Sequence, residues 1–304
     1  MEAELTVGSP AEIERCLQEH GAAILPGVLS AEECSALKDE IWSSLEHITS
    51  RWETPLRRGD TSTWRGLYQL CPKHSQLLQH WQLGCTQGPW NVRQHPRVQE
   101  AFATLWGVPP SELLCSIDGI SVHLPPEITG RGYFSGENKL HCDQAFTLNE
   151  RDAVQGWVNA NDTGEGDATL TFLHRSHRRT AEAAERFPDL RSGGSWHQLT
   201  PEMIRFYTEE CGCRQHSVTC PAGSLVLWDS RTIHSGRESL RGRPQINERY
   251  VVYVCMTPRH KATPANRRKL CRAFYEMRMT GHSPHRPLLF PRRPRTYGRP
   301  LPEV

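Results

Sequence analysis

The sequence predicts a mainly β fold with flanking helices. Three observations carry this: short β-type runs separated by turn residues between Leu113 and Met256, amphipathic helical stretches ahead of them, and a basic helical stretch behind. A chain of 304 residues can bury one full core, so a single domain over 1–304 is expected. Within it, 1–112 reads as a helix-rich support and 113–258 as the β core, with an insertion at about 178–215; 259–304 reads as a C-terminal helix and basic tail.

In chain order, Ala11 to Glu19 predicts a short helix, and the apolar run from Gly21 to Leu29, punctuated by Pro26 and Gly27, a strand and a turn. Ser30 and Glu33 form a capping box, after which Cys34, Leu37, Ile41, Trp42 and Leu45 recur at helical spacing. Thr49 to Trp90 lacks periodicity and predicts loops with short helices. A second helix opens at Pro96, carries Val98, Ala101, Phe102, Leu105 and Trp106 on one stripe, and stops at Gly107.

The β runs are Ile117 to Leu124, Lys139 to Phe146, Ala153 to Ala160, Thr169 to Leu173, His216 to Cys220, Ser224 to Trp228 and Arg249 to Met256. Pro221-Ala222-Gly223 is a turn between two of them. Thr180 to Gln215 is a helical insertion, with its helix at Pro201 to Tyr207, of a length that often covers a pocket. A basic helix is expected from Pro264 to Met279, followed by an extended Pro- and Arg-rich tail.

Composition narrows the function classes. Lys plus Arg 36 against Asp plus Glu 34 is too balanced to argue for nucleic acid from the total. No stretch approaches the roughly 18 apolar residues of a spanning helix, so no membrane role is expected. Eleven cysteines without a regular framework, behind an N-terminus lacking a basic and then apolar leader, point to a reducing, intracellular setting, cytoplasmic or nuclear.

One stretch carries chemistry: Leu140-His141-Cys142-Asp143-Gln144. A His and an Asp two apart on a strand share a face, and His234, about ninety residues on, follows a buried-looking strand and a polar turn. Two imidazoles and one carboxylate on one side of an ion leave the other side open, the set that suits non-haem Fe(II) oxygenases. Such an enzyme needs a dicarboxylate co-substrate, whose distal carboxylate calls for a buried guanidinium. Arg249 directly precedes a strand, whereas its rivals Arg241 and Arg243 flank Gly242 and Pro244 in a turn.

The order of these segments resembles the phytanoyl-CoA dioxygenase-like family of Fe(II)- and 2-oxoglutarate-dependent oxygenases. Gly21 to Leu45 is similar to its opening strand, Pro-Gly turn and helix, Leu140 to Gln144 to its first metal motif, and Val154 to Asp162 to the following core strand. Thr169 to His177 and Gly223 to Gly236 resemble its later strands. The resemblance implies a double-stranded β-helix (jelly-roll, cupin-like) core, His141, Asp143 and His234 as iron ligands, and Arg249 as the anchor of 2-oxoglutarate. It also implies O2 as co-substrate, release of succinate and CO2, and, because Asp143 keeps the carboxylate that halide-transferring relatives lack, hydroxylation or another oxidation instead of halogenation. Two departures stand out: His174-Arg175 where the family commonly has Pro-Gly, and a longer loop between His234 and Arg249.

Lys139, Gln155 and Thr169 fall on strands expected to neighbour the iron, in reach of the co-substrate. His123 reads as a hydrogen-bonded structural residue, and His177 resembles a structural position. Cys211, Cys213, His216 and Cys220 are spaced too tightly for an ordinary zinc site. Arg175, Arg178 and Arg179, with Arg292, Arg293 and Arg295, are candidates for attracting an anionic substrate or docking a macromolecule. Three functions stay open: an oxygenase of a small molecule, anionic ones included; an oxygenase of protein or nucleic acid; and a non-catalytic fold relative that binds metal or ligand.

Overall fold

Alternation along the strands builds this molecule, because both faces of its larger sheet are buried against different partners. The computed structural model describes residues 1–73, 76–191, 194–294, 296, 298, 300 and 302–304. Its strands are β1 (Ala22–Leu25), β2 (Leu77–Leu78), β3 (Leu113–Cys115), β4 (Ile120–His123), β5 (His141–Cys142), β6 (Val154–Asn159), β7 (Thr169–Leu173), β8 (His197–Gln198), β9 (Gln215–Ser217), β10 (Leu225–Asp229), β11 (His234–Arg237) and β12 (Arg249–Pro258). The larger sheet runs β1-β10-β6-β12-β4-β2, with β3 also on β12; the smaller runs β8-β5-β11-β7-β9. All these pairings are antiparallel.

One face of the larger sheet, including Leu25, Leu227, Val158, Val252 and Val254, packs on the helices Ala31–Ile48 and Pro96–Trp106 in one core. The other face presents Ile24, Val226, Trp157, Trp228 and Val251 to Leu170 and Phe172 of the smaller sheet. Two apposed antiparallel sheets with flanking helices form the expected jelly-roll core.

The helix Ala31–Ile48 begins where the capping box predicts: Ser30 Oγ accepts from the Glu33 amide and a Glu33 carboxylate oxygen accepts from the Ser30 amide. Its stripe Cys34, Leu37, Ile41, Trp42 and Leu45 is buried. The helix Pro96–Trp106 ends at Gly107 in the left-handed conformation. Arg93 is fully buried and donates to the carbonyls of Gly84, Asp118 and Tyr253, tying the helix Gln87–Gln94 to the sheet.

Three segments depart from the sequence reading. The run Lys139 to Phe146 shrinks to the two residues of β5, while His234–Arg237, which is not among the β runs read from residue type, is a strand held between β5 and β7, as the family resemblance of Gly223 to Gly236 implies. The insertion is short helices, Thr180–Arg186 and Pro201–Arg205 with a π turn Phe206–Glu210, and these pack behind the smaller sheet on Cys142, Leu173 and Ile233. The C-terminal chain is not wholly extended: beyond the helix Pro264–Tyr275, Leu288 and Phe290 donate backbone bonds to Thr280 and Met279, closing a loop that folds back on the sheets. Of the basic tail, Arg292 lies near Glu276 at 3.7 Å, and Arg295 is outside the described residues.

Two predictions follow from this packing. Gly223 sits at φ +76° in the turn before β10, where an added Cβ would lie 2.3 Å from the Leu29 carbonyl oxygen. Gly223→Ala is expected to cost at least about 2 kcal/mol, read as a lower urea midpoint. His123, opposite Arg249 on β12, is buried, and burial pushes its imidazole down to about 4. The unfolded chain therefore binds a proton that the folded one refuses between about pH 6.5 and 4, and stability falls on acidification through that window, by on the order of 3 kcal/mol for this residue. Urea titrations across that range should give His123→Gln a pH slope shallower by about one proton.

Candidate metal centre

The smaller sheet sets the first two ligand candidates. β11 pairs with β5 so that His234 lies directly opposite His141, and directly opposed residues in an antiparallel pair share a face. Their ring centroids are 4.4 Å apart. Asp143 follows β5, and its Oδ2 is 3.8 Å from His141 Nε2 and 3.3 Å from His234 Nε2. Two metal bonds of about 2.1 Å reach across at most about 4.2 Å, so one ion can be shared by these donors. Among the described residues this is the one group of three or more His, Cys, Asp and Glu whose donor atoms converge, all within 4.8 Å of one another. Cys211, Cys213, His216 and Cys220 form no such group.

Tautomers point the same way. His141 Nδ1 is 2.8 Å from the Lys139 carbonyl and His234 Nδ1 is 2.9 Å from that of Thr232. A carbonyl only accepts, so each Nδ1 carries the proton and each Nε2 offers its lone pair toward Asp143. Burial, helped by the neighbouring His234, pushes His141 down to about 4, so it is neutral at neutral pH. Burial alone would raise the Asp143 carboxyl; at the acid pH where it would take up a proton, the then-protonated His282, His234 and His141 outweigh burial and hold it well below the usual range. A neutral imidazole and an ionised carboxylate are the forms that bind a cation. Gln155 Nε2 donates to Asp143 Oδ2 at 2.9 Å, which fixes the carboxylate's orientation.

These residues open on a cavity of about 1040 Å³ between the two sheets. Lys139, Gln155 and Arg249 line it with the three ligand candidates. Arg249 is 6% exposed, donates to Ser121 Oγ at 3.2 Å and the Ala168 carbonyl at 3.1 Å, and lies over the Trp157 ring. Among the described residues no carboxylate pairs with it. Its rivals are elsewhere: Arg243 is locked between Glu127 at 2.8 Å and Asp167 at 2.5 Å, and Arg241 stacks on Tyr133.

Thr169 is directed away from the cavity. On β7 it is Leu170 that lines the cavity, so the adjacent Thr169 takes the opposite face, where its hydroxyl donates to the Val218 carbonyl. His123 Nε2 bonds the Gly132 carbonyl and His177 Nε2 the Gln18 carbonyl, both structural roles. Arg175 faces Glu19, Arg178 donates to the Gln18 carbonyl, and Arg179 pairs with Glu182, so these arginines are engaged within the chain.

Sequence reasoning missed the rest of the wall. Trp196, 57% exposed, comes from the insertion and stands 5.9 Å from the His141 ring. His282 comes from the C-terminal loop, with Nε2 3.9 Å from Asp143 Oδ2. Gln76 and Trp228 complete the wall near His234. The usable signal was the run of His282, His285 and Arg286 within an otherwise Pro-rich tail.

Comparison with known proteins agrees with this geometry. The family model described as phytanoyl-CoA dioxygenase (PhyH) matches residues 17–244. "Ava biosynthesis cluster protein O" of Aspergillus versicolor is 31% identical over 208 residues, 65% of this chain and 63% of its own length, so the match spans less than two thirds of that relative. Among solved structures, the non-heme alpha ketoglutarate dependent carbocyclase SnoK from nogalamycin biosynthesis has a TM-score of 0.53 at 18% identity, covering 81% of this chain and 82% of its own. A putative oxidoreductase from Salmonella typhimurium LT2 has a TM-score of 0.59 at 15% identity, covering 88% and 77%. At such identities the solved structures show the shared fold. The chain belongs to the phytanoyl-CoA dioxygenase (PhyH) family.

Proposed function

We propose that this protein is an Fe(II)- and 2-oxoglutarate-dependent dioxygenase that hydroxylates or otherwise oxidises a small molecule, its sheets and flanking helices acting as one catalytic domain. The observation that carries this is the convergence of His141, Asp143 and His234 in a cavity that also holds Arg249. Bound there, Fe(II) with 2-oxoglutarate and O2 supplies the oxidising chemistry, the co-substrate leaving as succinate and CO2. His141 and His234 present their Nε2 atoms, and Asp143 supplies the anionic donor, held by Gln155. Arg249 receives the distal carboxylate: a buried cation without an acidic partner is costly, and a dicarboxylate removes that cost on binding. Lys139 stands beside the metal pole and its carbonyl orients His141.

Asp143 fills the place that a halide would need, which supports oxygen transfer over halogenation. The engaged Arg175, Arg178 and Arg179 give no support to a macromolecular docking face. All eleven cysteines are free thiols, which supports an intracellular setting; among the described residues no helix is long and apolar enough to cross a membrane.

Succinate release in the presence of Fe(II) and 2-oxoglutarate checks the reading. His141→Ala, Asp143→Ala and His234→Ala should each lower it by at least about a hundredfold, with matching loss of metal affinity in titrations with Mn(II). Unchanged turnover in these variants would remove the assignment.

The anchor is tested separately by calorimetry. Arg249→Ala should weaken 2-oxoglutarate binding by about a hundredfold with metal affinity retained. Arg241→Ala should leave it unaltered, and Arg243→Ala should lower the unfolding midpoint by stranding Asp167 and Glu127.

A further inference from the structure

The family match ends at residue 244, yet Thr280, His282, Arg286, Leu288 and Phe290 line the cavity. Their loop is firmly built. Its base is closed by the Leu288 and Phe290 backbone bonds to Thr280 and Met279, and Thr280 is bonded to Ile117 through its amide at 2.7 Å and its Oγ1 at 2.9 Å. Its outer limb is pinned where His285 Nε2 meets Asp152 Oδ2 at 3.1 Å, joined there by Arg286, and where Asn266 donates to the His285 carbonyl. Such anchoring presents His282 as a fixed wall group, 36% exposed, beside Asp143.

The cavity these residues enclose is about 1040 Å³, at the top of the range for drug-sized ligands and far beyond what a five-carbon dicarboxylate fills. Its mouth carries two exposed apolar side chains from separate segments, Trp196 at 57% and Leu288 at 63%. Deeper walls include Trp157, Trp228, Tyr253 and Phe290. Once Asp143 and Arg249 are committed, the lining charges mix signs, Lys73, Lys139 and Arg286 against Asp118, Glu137 and Glu238, so no single-sign field selects an ionic substrate.

We propose that residues 279–290 are the specificity element of this enzyme and that its substrate is an uncharged, bulky compound with a large apolar surface. His282 is then the positioning residue, hydrogen-bonding a polar group of that compound beside the metal pole. This rests on the reading above, that the pole holds iron and 2-oxoglutarate.

The test uses the full chain loaded with Mn(II) and 2-oxoglutarate, with 1,8-dihydroxyanthraquinone as a neutral tricyclic probe and binding read by quenching of tryptophan fluorescence. Saturable binding is expected, no weaker than that of anthraquinone-2-sulfonate. His282→Ala should weaken it about fivefold to tenfold, the loss of one hydrogen bond, and Leu288→Asp should weaken it further. His282→Asn, which keeps a donor, should recover part of the loss, which a merely structural role would not allow. Calorimetric 2-oxoglutarate affinity should stay constant in Leu288→Asp, which lies away from the ligand candidates. Absence of saturable binding to the wild type, preference for the sulfonate, or an unchanged His282→Ala would overturn the proposal with the iron reading intact. Failure of the wild type to take up 2-oxoglutarate with Mn(II) would overturn the iron reading, and this proposal with it.

Discussion

The metal pole depends on one backbone register, the antiparallel pairing that sets His234 of β11 opposite His141 of β5. Side chains alternate along a strand with a period of two, so a slip of one residue would send either imidazole to the opposite face. The other edge of β11 enforces the same parity. Its pairing with β7 places His234 across from Phe172 and Gly236 across from Leu170, and both apolar residues belong to the core between the sheets. Moving His234 outward would expel that core as well. The catalytic candidates are therefore held by hydrophobic burial several residues away.

The same logic sorts the buried arginines. Arg93 spends its guanidinium on three carbonyls and Arg243 on two carboxylates, so each is satisfied within the chain. Arg249 is equally buried but its partners are one hydroxyl, one carbonyl and the face of an indole. Neutral partners leave a desolvated charge poorly compensated, whereas a ligand carboxylate compensates it with two parallel bonds. Sequence position favoured Arg249 over Arg241 and Arg243; the distribution of counter-ions supports the same choice on independent grounds.

What was legible in the sequence was local. The capping box at Ser30 and Glu33, the helical stripe behind it and the glycine stop at Gly107 are each decided within about one turn of chain. The family resemblance and the His-x-Asp spacing reached further, because His141 and Asp143 are set two residues apart and their shared face needs no tertiary knowledge. His234–Arg237 was legible as a strand only through the family resemblance, because His-Ser-Gly-Arg carries no β-type side chains; its extended form comes from pairing on both edges. Thr169 was misplaced for a related reason. β7 is buried on both faces, so the sequence gives no alternation to tell inward from outward residues. The loop at 279–290 depends on Ile117 and Asp152, more than a hundred residues upstream, and no local signal encodes such contacts.

These two kinds of legibility divide the molecule by function. The metal candidates and Arg249 lie on or directly beside sheet strands whose registers are fixed by the core, which is where a constellation needing sub-ångström precision is best kept. The cavity's outer walls come instead from residues 194–196 of the insertion, just ahead of β8, and from the C-terminal loop, segments outside the strands. A side chain exchanged in either segment alters the space around the metal pole without disturbing the pairing of β5 with β11. Chemistry and selectivity are thus carried by different parts of the chain, and His282, fixed on the loop yet 3.9 Å from Asp143, is where the two meet.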